Sequence, residues 1–124
     1  MSHPFHLSIG VRSIADSIKF FTEVLNGKVT HREPEYVNLE VFGHQITLKP
    51  NASISPALPD FHFGFNMSLG EFDRIAGVVA NKFSMYLHMS PKVVDAGTSL
   101  ERKKMYLRCP TGYLVELKGY AYIS

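Results

Sequence analysis

The sequence predicts an α+β fold of two βαβββ modules forming a curved mixed sheet with helices on the outer face. Three observations predict it. Two strand-like stretches, HLSIGV at residues 6–11 and FHFGFNM at residues 61–67, alternate apolar with polar residues, and each carries a histidine, His6 or His62, on its polar alternation. Each stretch runs into a serine helix cap, and the spacing from His6 to His62 nearly equals that from Ser13 to Ser68. Further strand-like segments follow in each half, and a proline-rich stretch separates the halves.

In the first module Leu7, Ile9 and Val11 share one face, while His6, Ser8 and Gly10 share the other. Ser13, with Asp16 three residues on, caps a helix in which Ile14, Ile18, Phe21 and Leu25 recur at helical spacing; Asn26-Gly27 stops it after about three turns. A short strand near Lys28–His31 precedes YVNLEVFGHQITLK, residues 36–49, where Gly43-His44 reads as a two-residue hairpin turn. That turn sets Phe42 opposite Gln45, Glu40 opposite Thr47 and Asn38 opposite Lys49, with Val37, Leu39, Val41, Ile46 and Leu48 on the apolar face. The three prolines of PNASISPALPD, residues 50–60, mark an extended linker.

The pattern then begins again. Phe61, Phe63 and Phe65 form the core-facing alternation; Ser68 and Glu71 make a capping box; Phe72, Ile75, Val78 and Val79 line one helical face up to Asn81. Strand-like segments follow at SMYLHM, KKMYLRC and YLVELKGY, the last two joined by Pro110-Thr111-Gly112. One domain over residues 1–124 is expected, with module one at about 1–50, the linker at about 50–60 and module two at about 61–124.

Composition excludes several function classes. A chain of 124 residues with 45% hydrophobic content can bury the core of one domain. Thirteen Lys+Arg against eleven Asp+Glu leave a net charge of +2, and the one basic run, Arg102-Lys103-Lys104, reads as a solvated turn, so no nucleic-acid footprint is predicted. No apolar run approaches the roughly 18 residues of a membrane span. The start MSHPFHL lacks the basic and apolar regions of a signal peptide, and Cys109 is the only cysteine, so a cytoplasmic location is expected. A lone cysteine also excludes an internal disulfide and a cysteine-based zinc site. No Ser-His-Asp spacing, phosphate loop or dinucleotide fingerprint is present.

The polar alternations carry the candidate chemistry. With helices covering the apolar face, His6 and His62 line the other side, and in LVELK the alternation of Val115 and Leu117 sends Glu116 there as well. Two imidazoles and a carboxylate on rigid strands suit a divalent metal, Fe²⁺, Mn²⁺, Ni²⁺ or Zn²⁺. A buried Glu116 without such a partner would be costly. His3 and His44 are expected in solvent, while His31 and His88 fall near strand ends without a settled face. Cys109, before a proline turn, has no activating neighbour.

These segments resemble the vicinal oxygen chelate superfamily, which includes glyoxalase I, extradiol dioxygenases, fosfomycin-resistance enzymes and bleomycin-resistance proteins. HPFHLSIGV with ADSIKFFTEVLNGKV looks like the family's first strand and helix, FGHQITLK like the end of its first module, DFHFGFNM like the opening of its second, and RCPTGYLVELKGY like its closing segment. The resemblance implies metal ligands at His6, His62 and Glu116, with Fe²⁺ first and Ni²⁺, Zn²⁺ or Mn²⁺ as alternatives. The fourth ligand place departs from the family, falling at Thr47 or Lys49 where relatives have Glu or His; Cys109 replaces the family's Asp before Pro-x-Gly.

Three activities follow from the resemblance. Three ligands with open positions suit a ring-cleaving dioxygenase. A glyoxalase-like lyase or isomerase would need a base besides Glu116, for which Glu40 is the candidate, although a cross-strand ion pair with Lys49 is the simpler account of it. A metal-free ligand-sequestering protein of the bleomycin-resistance type would use Lys49 as a fixed charge. Lys49, Arg108 and Asn66 are the expected substrate-binding residues, and a small molecule with two adjacent oxygens is the expected substrate. Relatives imply a homodimer, and the site lies either within one chain or across two.

Overall fold

Two serine hydroxyls set where the helices begin. In the computed structural model, which describes residues 3–55 and 60–124, Ser13 Oγ accepts the Asp16 N–H and Ser68 Oγ accepts the Glu71 N–H, both at 3.1 Å. Each cap satisfies a first-turn donor that has no carbonyl partner. The chain divides into two compact units, Met1–Leu58 and Pro59–Ser124. Each unit holds its own four-stranded mixed sheet, and the two sheets have the same topology: the first strand lies parallel to the last, and the middle strands complete an antiparallel meander.

In the first unit, β1 (His6–Val11) leads into α1 (Ile14–Lys19), which continues as a π turn over Phe20–Val24; β2 (Lys28–Glu33), β3 (Tyr36–Val41) and β4 (His44–Pro50) follow, in sheet order β1-β4-β3-β2. The π turn has a packing reason. Phe20, Phe21, Val24 and Leu25 are all buried, and an α-helical pitch alone spreads so many neighbouring apolar residues over too wide an arc; widening the turn gathers them on the sheet. Phe20 and Phe21 meet edge to face at 5.2 Å. Asn26, at φ 58°, ends the helix in the left-handed region.

The hairpin corrects the sequence expectation. Phe42 (φ 51°) and Gly43 (φ 82°) occupy the turn, the pattern of a type I′ loop, so Val41 faces His44, Glu40 faces Gln45 and Asn38 faces Thr47. The pairing is two residues away from that expected for a Gly43-His44 turn. Faces are unchanged by an even shift, so Val37, Leu39, Val41, Ile46 and Leu48 are buried as expected. Glu40, however, now lies beside Gln45 and Lys28, away from Lys49, which is paired with Gly10. Of the expected linker, Pro50 closes β4 and the Asn51 N–H bonds the Val11 carbonyl at 2.8 Å; residues 56–59 lie outside the described residues.

In the second unit the order is β5 (His62–Ser68), α2 (Leu69–Lys82), a 3-10 turn at Ser84–Tyr86, then β6 (Leu87–Val94), β7 (Arg102–Arg108) and β8 (Leu114–Tyr120), arranged β5-β8-β7-β6. SMYLHM is thus a 3-10 turn before a strand, whereas the sequence alone suggests a strand throughout. Phe72, Ile75 and Val79 of α2 are buried over β5 and β8. A Cβ on Gly119 would come within 2.7 Å of the Phe72 Cβ, so that glycine allows the close approach of helix to strand. Phe61 is 43% exposed against Tyr113, and Phe63 and Phe65 are half-buried, so this alternation seals the core less completely than expected.

The basic run is a second correction. Arg102, Lys103 and Lys104 form the start of β7 and are not a solvated turn. Strand alternation splits them: Lys103 Nζ bonds Asp73 Oδ1 of α2 at 2.9 Å, while Arg102 and Lys104 face the other way, Arg102 held by Asp95 at 2.6 Å.

Candidate functional site

Strand register organises the face of the second sheet opposite α2 into rows. Moving along the sheet, His62, Leu114 and Arg108 share one row; Gly64, Glu116, Tyr106 and Met89 share the next; Asn66, Lys118, Lys104 and Lys92 share the third. Gly64 decides what happens in the middle row. A Cβ there would run into the backbone carbonyl oxygen of Glu116, so the absence of a side chain lets β5 and β8 close up.

Glu116 and His62 meet beside that close approach: Glu116 Oε1 lies 3.2 Å from His62 Nε2, with the carboxylate side chain 9% exposed and the imidazole 48% exposed. Lys118 Nζ is 4.0 Å from the same oxygen. The Tyr106 ring stands edge-on to His62 at 5.4 Å, and Lys104 Nζ lies over the Tyr106 ring at 5.8 Å. Glu116 therefore has three partners within its own unit, which answers the cost of burying it. Lys118 is the member that sequence reasoning missed, although its two-residue spacing from Glu116 was an available signal; Tyr106 is one of four tyrosines that the sequence offers for the mouth of the cleft or a subunit contact, and its partnership with Glu116 comes from the structure.

Burial raises the Tyr106 phenol above its ordinary value of 10.0, and the Glu116 carboxylate adds to this by its charge and by hydrogen bonding. A folded-state pKa above the unfolded one favours the folded protein below the unfolded value, and this contribution is lost as pH rises through the folded value. Urea unfolding of wild type and Tyr106→Phe from about pH 8 to about pH 11 should show wild type losing stability relative to the variant at the alkaline end. A pH-independent difference would remove Tyr106 from this environment.

The first sheet offers a matching polar face with different content. His6, Gln45, Glu40 and Lys28 form one row, and Ser8, Thr47 and Asn38 the next. His6 opens β1 as His62 opens β5; one row on, Ser8 pairs Thr47 as Gly64 pairs Glu116. Thr47 is thus the counterpart of Glu116, and Asn38 that of Tyr106. Thr47 is buried and its Oγ1 donates to Asn38 Oδ1 at 2.7 Å. Lys49 is one row further, exposed, beside Gly10. Glu40 shares the His6 row two strands away, about 10 Å at ordinary strand spacing.

Other candidates have local partners. Arg108 donates to the Gly112 carbonyl at 2.6 Å and stays exposed; Asn66 is exposed in the lysine row. Burial raises the Cys109 thiol, as expected for an unreactive core cysteine. His31 pairs with Glu33 at 3.1 Å, and His3 and His88 are exposed. His44 is half-buried, where solvent exposure was expected, and its Nδ1 accepts the Phe5 N–H at 2.9 Å.

Within either unit, among the described residues, no three His, Cys, Asp or Glu side chains gather as a metal group. The His62–Glu116 pair nevertheless fits part of one: two donors each about 2.1 Å from a common ion, at right angles or slightly wider, stand about 3 Å apart. No helix among the described residues is long and apolar enough to cross a membrane.

Comparison with known proteins gives the same architecture. A glyoxalase/bleomycin resistance protein/dioxygenase from Alicyclobacillus acidocaldarius superposes with a TM-score of 0.80 at 22% identity, covering 95% of this chain and 91% of that one. The fosfomycin resistance protein FosX from Listeria monocytogenes gives 0.74 at 14% identity over 96% and 93%. A virulence protein from Salmonella typhimurium gives 0.68 at 22% over 97% and 98%. No curated protein matches in sequence. The family model described as Glyoxalase/Bleomycin resistance protein/Dioxygenase superfamily matches residues 3–117, nearly the full length, and the chain belongs to that superfamily.

Proposed function

We propose that this protein is a metal-dependent enzyme acting on a small molecule with two adjacent oxygens, of the ring-cleaving dioxygenase or glyoxalase-like lyase/isomerase type. His6, His62 and Glu116 would hold the divalent ion, Fe²⁺ ahead of Ni²⁺, Zn²⁺ or Mn²⁺, in a single-domain cytoplasmic protein that works as a homodimer. The observation that carries this reading is the 3.2 Å approach of His62 Nε2 to Glu116 Oε1, the first half exposed and the second buried. When bound, the ion supplies Lewis acidity toward the substrate oxygens.

The chain's own groups supply the rest. Glu116 Oε1 can take or return a proton, and the neighbouring Tyr106 hydroxyl can donate a hydrogen bond to the same carboxylate. Glu40, in the His6 row, is the candidate for a separate base. Arg108, Asn66 and Lys49 would orient the substrate. Lys118 Nζ at 4.0 Å from Glu116 favours a second reading, ligand sequestration without metal, because it places a fixed positive charge next to the carboxylate. Thr47, tied to Asn38 where Glu116 has its counterpart, favours it too.

Elemental analysis of protein purified without chelator separates the readings. Near-stoichiometric iron supports ring cleavage, nickel or zinc supports lyase or isomerase chemistry, and no metal even after soaking supports sequestration. His62→Ala should abolish metal occupancy while changing stability by less than about 1 kcal/mol, since the side chain is half exposed. Retained metal in that variant would end the ligand assignment.

A further inference from the structure

The face that carries Glu116 is strongly cationic. Along its paired rows stand Arg108, Lys118, Lys104, Lys92 and Arg102, against the single carboxylate of Glu116. Arg102 is neutralised by Asp95. Elsewhere in this unit Asp73 holds Lys103, Glu71 holds Arg74 and Glu101 accepts the Gly97 N–H. Lys118, Lys104 and Lys92 occupy one row on three adjacent strands, so their stems start about 5 Å apart, with Asn66 at the end of the row.

Like charges at such spacing repel, and a solvated surface gains nothing from collecting them on neighbouring strands. Two features hold this row open toward a ligand. Lys104 lies over the Tyr106 ring beside the middle row, and Lys118, which stands 4.0 Å from Glu116, has three ammonium donors and directs at most one of them there. Lys118 therefore retains donor capacity next to the reacting groups.

We infer that Lys104 and Lys118, with Asn66 between the charged groups and the sheet edge, form an oxyanion subsite. The substrate then carries a phosphate, phosphonate or carboxylate group one row, about 7 Å along the strand, from the atoms that meet His62 and Glu116. The inference deepens the proposed enzyme site and rests on that reading for its substrate, but the subsite itself needs no metal. A small anion is favoured over nucleic acid because the row spans only three strands, is flanked by the Glu116 carboxylate, and continues into no further stripe on this face beyond the paired Arg102.

The test is titration of the chelator-treated, full-length protein with inorganic phosphate, methylphosphonate and acetate, followed by NMR of the lysine side-chain ammonium groups. Lys104 and Lys118 should shift with saturation in about the millimolar range, and the anion that binds best identifies the group. Lys104→Met/Lys118→Met should weaken binding about tenfold or more while keeping metal content. His62→Ala should keep anion binding while losing metal, so the failure of one assignment is seen apart from the other. Shifts confined to lysines elsewhere, equal binding by the double variant, or tighter binding of a single-stranded oligonucleotide through these lysines would overturn the subsite.

Discussion

Gly64→Ala is expected to destabilise the second unit by about 3 kcal/mol, a loss of roughly 10–20 °C in the midpoint of its thermal unfolding. The new methyl group has nowhere to go: the atom it meets is the Glu116 backbone carbonyl, inside the β5–β8 ladder, where no flexible side chain can yield. Relief requires the two strands to part, and parting breaks parallel ladder bonds next to buried Phe72 and Leu117. The same movement displaces Glu116 from His62, so calorimetry and metal content should fall together. An alanine variant that melts with wild type would show that the strands do not approach as closely as described.

Glu116→Gln is expected to lower metal affinity by about a hundredfold or more while leaving the fold intact. The amide has the same shape and can still meet His62, but it offers the ion a neutral oxygen in place of an anionic one. It also leaves Lys118 without its carboxylate neighbour. Competition with a metallochromic chelator reads the affinity, and urea unfolding reads the stability. Loss of fold without loss of affinity would reverse the assignment and make Glu116 a structural acid. If sequestration without metal is correct, neither variant nor wild type will retain an ion.

Much of this was legible in the residues themselves. Ser13 and Ser68 announce the helices because their hydroxyls do one local job, and the Val115–Leu117 alternation announces Glu116 because period 2 admits no other face. The hairpin register was not legible. A phenylalanine at positive φ carries no local signal, so the residues point to Gly43-His44 as the turn and to Thr47 opposite Glu40, where the structure has Gln45. The partnership of Tyr106 with Glu116 depends on the loop from Cys109 to Tyr113, whose length fixes the pairing of β7 and β8. Proline and glycine mark that loop without stating which residues it brings opposite one another. The π turn was hidden for a different reason: Phe20, Phe21, Val24 and Leu25 satisfy a helical apolar pattern, and only their joint burial requires the extra residue per turn.

The division of Arg102-Lys103-Lys104 between two faces means that one backbone slip would exchange their jobs. Moving β7 by a single residue would bring Lys103 toward the Glu116 side and leave Lys104 to find Asp73. It would also turn Met105 and Leu107 out of the interior, which forbids it. The arrangement of charge on this protein is therefore guarded by two greasy side chains in its interior.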